Sequence, residues 1–393
     1  MRKILYLGPF EIGKAETDSG VLYPAKKLAE TFGDFQFLVT VRHDTKKESM
    51  NLWKQRIPSL DFIRLPSPEK APQGLKTLYF CFLIRHHLCK VVKKYQPTHI
   101  YIRDCHYFKV AQRLAKYGNA KIIFKVAGAI IPEAVMSTGR MTWKIRFTDR
   151  LIFAPAIRHA DILTAVSWRF KSYLEEMYFR SDAIVIPSTV LLTDHVASDS
   201  SALRKDLGFS PDDLIVCYSG GASIWQRSAD IFRFFSQLHN AEPRIKLLIL
   251  SYDVERFKEI AASNGVDLQN IVICRVAREE IDRYYAMVDA GICLRHNNLV
   301  NNVASPFKIG EYWEAGLPVI MTRGIGEYSY ETMENKLGVV LEDDFLNSHS
   351  AVEQTVHFLR TMNHAEIAKR CRAWVEHNIS IESQLNTLNK LYQ

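Results

Sequence analysis

Short runs rich in Val, Ile, Leu and Phe alternate along the chain with longer stretches whose apolar residues recur at helical spacing. This is the pattern of parallel sheets flanked by helices. In the first half it predicts strands at Lys3–Leu7, Phe35–Val41, Phe62–Leu65, His99–Ile102, Ile122–Val126, Ile162–Ala165 and Ala183–Ile186. A polar stretch, DHVASDSSA, then reads as a connector, and a boundary is expected near 188–210. The alternation restarts with strands at Leu214–Ser219, Lys246–Leu250, Ile271–Cys274, Ala290–Leu294, Val319–Met321 and Gly338–Leu341. The expected fold class is therefore α/β, with two Rossmann-like domains, 1–190 and 191–375, facing across a cleft. A closing amphipathic segment, 376–393, is expected to pack back towards the N-terminal domain as a helix. Open parallel sheets bind ligands beyond the carboxyl ends of their strands, so the cleft is the expected site.

Composition narrows the class. The 393 residues, 47% hydrophobic and 24% charged, are too many for one comfortable core. Seven cysteines are scattered without a C-x-x-C pair and read as reduced core residues rather than a disulfide scaffold or zinc ribbon. The N-terminal apolar run is too short for a signal-peptide core, and no stretch approaches the roughly 18 uncharged residues of a membrane span. A cytoplasmic protein is the expectation.

Charge is unevenly divided: residues 1–190 carry net +15 and residues 191–393 net −7. Residues 51–150 hold 19 basic and 5 acidic side chains, nearly the whole excess. Two segments there mix cations with aromatics: 77–95, with His86, Lys90, Lys93, Lys94 and Phe82, and 140–150, with Trp143, Lys144, Arg146, Phe147 and Arg150. Such segments suit an anionic membrane surface, at about 1 kcal/mol per nearby charge, or are simply solvated helix faces. No nucleic-acid recognition motif accompanies them, so membrane phosphate is preferred to nucleic acid.

The familiar nucleotide and hydrolase motifs are missing. No G-x-G-x-x-G follows the first strand, and GPFEIGKA ends in Ala15 where a P-loop needs a hydroxyl. H-E-x-x-H, G-x-S-x-G and D-x-D are absent too, so no cofactor and no metal are expected. The most informative stretch is 290–322, AGICLRHNNLVNNVASPFKIGEYWEAGLPVIMT. It reads as a strand, an Asn-rich loop, a helix with Ser305 as N-cap and Pro306 at its first position, a stop at Gly316 and another strand. The helix start offers free N–H groups and a positive dipole end, an anion site. Lys308 in its first turn opposes that dipole unless an anion is near, and Glu311 follows one turn on. A solvated helix start is the alternative.

SPFKIGEYWEAGLPVI resembles the donor-binding motif of family-four glycosyltransferases, the retaining GT-B enzymes. KILYLG with Ser19-Gly20, THIYIRD, ADILTAVS, VIPSTV, VCYSGGASIWQ and VICRVAREEIDRYYAMVDAGICL follow the same family's order over nearly the whole chain. The resemblance implies GT-B architecture and a nucleotide-sugar donor held by Gly20, Gly221, Arg227, Val276, Ser305, Pro306, Phe307, Lys308 and Glu311. Arg227 and Lys308 would be the cations on the diphosphate, though Arg227 also reads as a helix-surface residue, and Glu311 would take the ribose. Val276, with Arg275, would pack the base. The family's first glutamate is replaced by Val303, leaving Asn301, Asn302 or the amides around Ala304 for the donor sugar. Asp104 and His106 would face the cleft mouth, His106 either polarising an acceptor, touching the donor sugar or serving structure alone. Gly128 and Glu133 are the acceptor-side expectation.

The implied activity is transfer from a nucleotide sugar to a glycan or lipid-linked acceptor of the cell envelope. The protein would then be cytoplasmic, with peripheral attachment to the inner face of the membrane. An epimerase of the same fold and a non-catalytic nucleotide-binding subunit are the competing readings.

Overall fold

Residues 1–66, 76–193 and 201–393 are described by the computed structural model. Residues 194–200 of the expected connector, which the sequence places at 194–202, and the side chain of Phe82 lie outside the described residues. Every predicted strand forms: β1 Arg2–Phe10, β2 Phe35–Val41, β3 Leu60–Arg64, β4 His99–Ile102, β5 Lys121–Val126, β6 Ile162–Ala165 and β7 Ile184–Val185 in the first half. The second half supplies β8 Leu214–Ser219, β9 Ile245–Leu250, β10 Ile271–Cys274, β11 Ala290–Cys293, β12 Val319–Thr322 and β13 Gly338–Leu341.

The strands build two sheets, ordered β3-β2-β1-β4-β5-β6-β7 and β10-β9-β8-β11-β12-β13, in which every pairing is parallel. Parallel strands covered on both faces need unbroken apolar runs rather than alternation, which is why FLVTV, IIF and IVCYS read so clearly. In each sheet the strand order reverses direction once, between β1 and β4 and between β8 and β11. Such switch points open a crevice beyond the strands' carboxyl ends, where ligands bind.

Two compact units result: Met1–Thr189 with Ile381–Gln393, and Val190–Ser380. Residues 376–378 still belong to the helix His364–Asn378, and Ser380 bridges Val190. The last helix, Ile381–Lys390, is part of the first unit. Its end buries Leu388, Leu391 and Tyr392 among Tyr6, Phe35 and Tyr101, with the Tyr6 and Tyr392 hydroxyls 2.9 Å apart. Lys27 pairs with Glu382 at 2.8 Å.

Candidate functional site

In the second unit the informative helix begins one residue later than expected. It spans Phe307–Glu314 with extended Pro306 at the N-cap position, and the Ser305 hydroxyl lies 3.1 Å from that of Tyr328. At the other end Gly316 takes φ +84° and Leu317 N–H donates to the Tyr312 carbonyl at 2.8 Å, the glycine stop anticipated from the sequence.

This register turns Lys308 inward. The residue is only 9% exposed. Its Nζ donates to Gln226 Oε1 at 3.1 Å and lies 3.9 Å from the centre of the Tyr218 ring. Gly220, at φ +137°, makes the room: a Cβ there would lie 2.9 Å from Nζ. Loss of water by burial pushes the Lys308 ammonium down to about 8.

A second cation stands beside it. Arg295 follows β11 at the switch point and is 8% exposed. Thr322 Oγ1 accepts its backbone N–H at 2.8 Å and Asn301 Oδ1 accepts Nη1 at 3.2 Å, whereas Nε is buried without an acceptor. Its charge acts on both Lys308 and Tyr218. Among the described residues neither Lys308 nor Arg295 has a carboxylate partner. Glu311 acts on Lys308 only at a distance, so two buried positive charges without a direct ion pair cost several kcal/mol, a cost that a bound dianion would offset.

Arg227, expected on the diphosphate, is engaged elsewhere. Its Nε donates to Asp230 at 2.6 Å, Nη1 to Asp343 at 2.5 Å, and the guanidinium stacks on Phe345 at 4.8 Å. Two carboxylates already neutralise it, so it pins the start of the helix Ser228–Ala241. Gly221 is held by neighbours: Tyr218 donates its hydroxyl proton to the Gly221 carbonyl at 2.7 Å, and Asp253 accepts the Ala222 amide at 3.0 Å.

Glu311 Oε1 pairs with Arg278 at 2.6 Å. Burial works against the Arg278 charge and the Glu311 carboxylate more than restores it. The pair presents a carboxylate in fixed orientation, able to accept from a hydroxyl. Val303 is buried and apolar. Of the asparagines beside it, Asn301 is committed to Arg295 and the His296 carbonyl, while Asn302 Oδ1 is buried without a donor. Val276 lies in the apolar core, and exposed Arg275 stacks on Tyr252 at 4.8 Å, a flat surface beyond β9 and β10. Phe307 is half-buried.

In the first unit, Gly20 lies in the turn Asp18–Leu22, where Ser19 O accepts from Thr189 Oγ1 at 3.0 Å. Asp104 and His106 follow β4 at the switch point. Asp104 Oδ1 accepts the His106 amide at 2.9 Å and lies 2.7 Å from Nδ1. That hydrogen bond lifts His106 to about 10, so the imidazole is a cation at neutral pH and a hydrogen-bond donor, not a base. Asp104, Cys105 and His106 offer one metal-ligating atom each within 4.8 Å, although the imidazole and carboxylate already satisfy each other. Gly128 and Glu133 come together: a Cβ on Gly128 would lie 2.5 Å from Glu133 Oε1.

No protein-family model and no curated protein matches the sequence. Solved structures do. A glycosyltransferase from Rickettsia africae is 17% identical, with a TM-score of 0.72 over 100% of this chain and 97% of its own. HepE from Anabaena, solved with UDP-glucose, is 15% identical, with a TM-score of 0.70 over 100% and 99%. Sucrose-phosphate synthase from Thermosynechococcus elongatus is 14% identical, with a TM-score of 0.75 over 100% and 98%. The chain has the GT-B fold. Within that GT-B frame, Gly220, Arg278 and Arg295 escaped the sequence reading. Only Arg295 left a signal: a cation directly after a strand at the switch point, in AGICLRHNN.

Proposed function

We propose that this GT-B protein is a glycosyltransferase that moves a sugar from a nucleoside diphosphate to a glycan or lipid-linked acceptor, with retention at the anomeric carbon. The observation that carries the reading is the buried pair Lys308 and Arg295, two cations at one switch point without a direct ion pair among the described residues. In the reaction the bond from the anomeric carbon to the diphosphate oxygen breaks as the acceptor oxygen bonds to that carbon. The hydroxyl proton leaves with the diphosphate. Lys308 and Arg295 stabilise the charge that grows on the departing group, and their site needs no reorganisation to do so. Glu311, held by Arg278, accepts from the ribose, and Asn302 Oδ1 from a donor-sugar hydroxyl in place of the glutamate that Val303 replaces. UDP-glucose, bound in HepE, is the first donor to test.

A membrane-borne acceptor is favoured by the segment 140–151. The helix Trp143–Thr148 leaves Trp143 73% and Phe147 56% exposed, among exposed Arg140, Lys144, Arg146 and Arg150. Cell-envelope polysaccharide or glycolipid synthesis, at the inner face of the membrane, is the setting that fits. The test is donor hydrolysis and transfer across a panel of nucleotide sugars. Lys308→Ala and Glu311→Ala should each lower turnover by roughly 10²–10³ with an unchanged fold. Near-normal turnover in both variants would remove the site. Turnover of a nucleotide sugar to its epimer, without an acceptor, would favour the epimerase reading.

A further inference from the structure

The first unit contains a second buried cation that the donor reading does not use. Lys125 lies in β5, paired in register with Thr164 of β6, so both side chains leave the sheet on one face. Apolar residues surround that face, and a valine or methionine would pack there at lower cost. Lys125 is 6% exposed and Thr164 is 1% exposed. Both line a pocket closed by Gly20, Tyr101, Ile186, Thr189 and Tyr392. The Thr164 hydroxyl is buried with no hydrogen-bond partner, and burial and the Arg103 charge, with no carboxylate beside them, act on the Lys125 ammonium. Arg103, at the end of β4, adds its positive charge to the same place while its Nη1 donates to the Glu16 carbonyl at 2.5 Å.

We infer that this pocket of the first unit is an oxyanion site, in which Lys125 and Thr164 receive a phosphate-monoester or carboxylate oxygen. A lysine serves as a point charge for such a group and a threonine hydroxyl as a single donor. The position, beyond the middle of β5 and β6 towards their carboxyl ends, is where an open parallel sheet takes ligands. Assigning the oxyanion to the acceptor rests on the reading above; the pocket itself does not. An acceptor recognised here carries its own negative charge, which makes a sugar phosphate or a uronic acid a better substrate than a neutral glycan.

Burial, reinforced by Arg103, pushes Lys125 down to about 7, so at neutral pH a large share of it is the neutral amine that reacts with cyanate. The experiment follows carbamylation of individual lysines in the whole protein by peptide mass mapping, with inorganic phosphate or acetate as the probe. Protection of Lys125 of about tenfold at tenfold excess over Kd, without protection of Lys144, is the expected result. Protection by phosphate alone identifies a phosphoryl group, by acetate alone a carboxylate, and either supports the site. Thr164→Val should weaken the protection. Lys308→Met, which disables the donor site, should leave it intact, so the two readings fail separately. An unchanged Lys125 rate in both anions overturns the inference, as does protection lost in Lys308→Met and retained in Thr164→Val.

Discussion

If Lys308 holds the diphosphate as proposed, it ties ligand binding to a proton. Its burial lowers the ammonium from 10.5 to about 8, a penalty on the charged form of about 3 kcal/mol at neutral pH. Between these values the unfolded chain holds the proton and the native chain does not, so stability rises with pH from about 8 to 10.5. Below about 8 the full penalty persists. Lys308→Met should therefore stabilise the ligand-free protein at pH 7, by up to about 3 kcal/mol before packing differences. A bound diphosphate reverses the balance by favouring the ammonium. Above pH 8 binding must then take up a proton, and the affinity for UDP should fall by up to about tenfold per pH unit. Below pH 8 it should be flat, since the phosphate's own second ionisation, near 6, is complete by pH 7. Titration calorimetry at pH 7, 8 and 9, in buffers of different ionisation enthalpy, reads both quantities. The Lys308→Met variant should bind weakly with no proton uptake at any pH. Equal affinity at pH 7 and pH 9 without proton uptake would refute the assignment of a buried, anion-seeking Lys308.

Arg227 and Arg295 should separate cleanly. Arg227→Met breaks the pairs to Asp230 and Asp343 and should cost about 1–3 kcal/mol in urea unfolding with UDP affinity kept, whereas Arg295→Met should lose UDP binding without loss of stability. Gly220→Ala puts a Cβ 2.9 Å from the Lys308 ammonium at φ +137°; about 1–3 kcal/mol of strain is expected, with weaker UDP binding measured alongside. Replacing Trp143 and Phe147 by Ser should release the protein from anionic vesicles in a flotation assay at low salt, and equal retention of variant and parent would remove the membrane surface from the account.

The thirteen strands were legible because a strand buried on both faces must be apolar along its whole length, a local property of the chain. The helix at 307 was legible to within one residue. Ser305 and Pro306 carry strong local preferences, and the Ser305 hydroxyl meets that of Tyr328, distant in sequence. Lys308 and Glu311 stood out through a motif. Arg295 left only its place directly after a strand, since what makes it unusual, the burial of Nε without an acceptor, is not encoded by its neighbours along the chain. The same local view left Arg227 open between a diphosphate cation and a helix-surface residue, because its partner Asp343 lies far along the sequence.

The return of Ile381–Gln393 to the first unit bears on how the protein is made. Leu388, Leu391 and Tyr392 complete an apolar face whose other members lie in the first half of the chain. On a ribosome moving at roughly 5–20 residues per second, the intervening unit takes about 10–40 s to emerge, and throughout that time the face around Tyr6 and Phe35 lacks its cover. The unit translated first is thus the one finished last, and a nascent chain stalled before Leu388 would offer chaperones an open apolar surface rather than an independent domain.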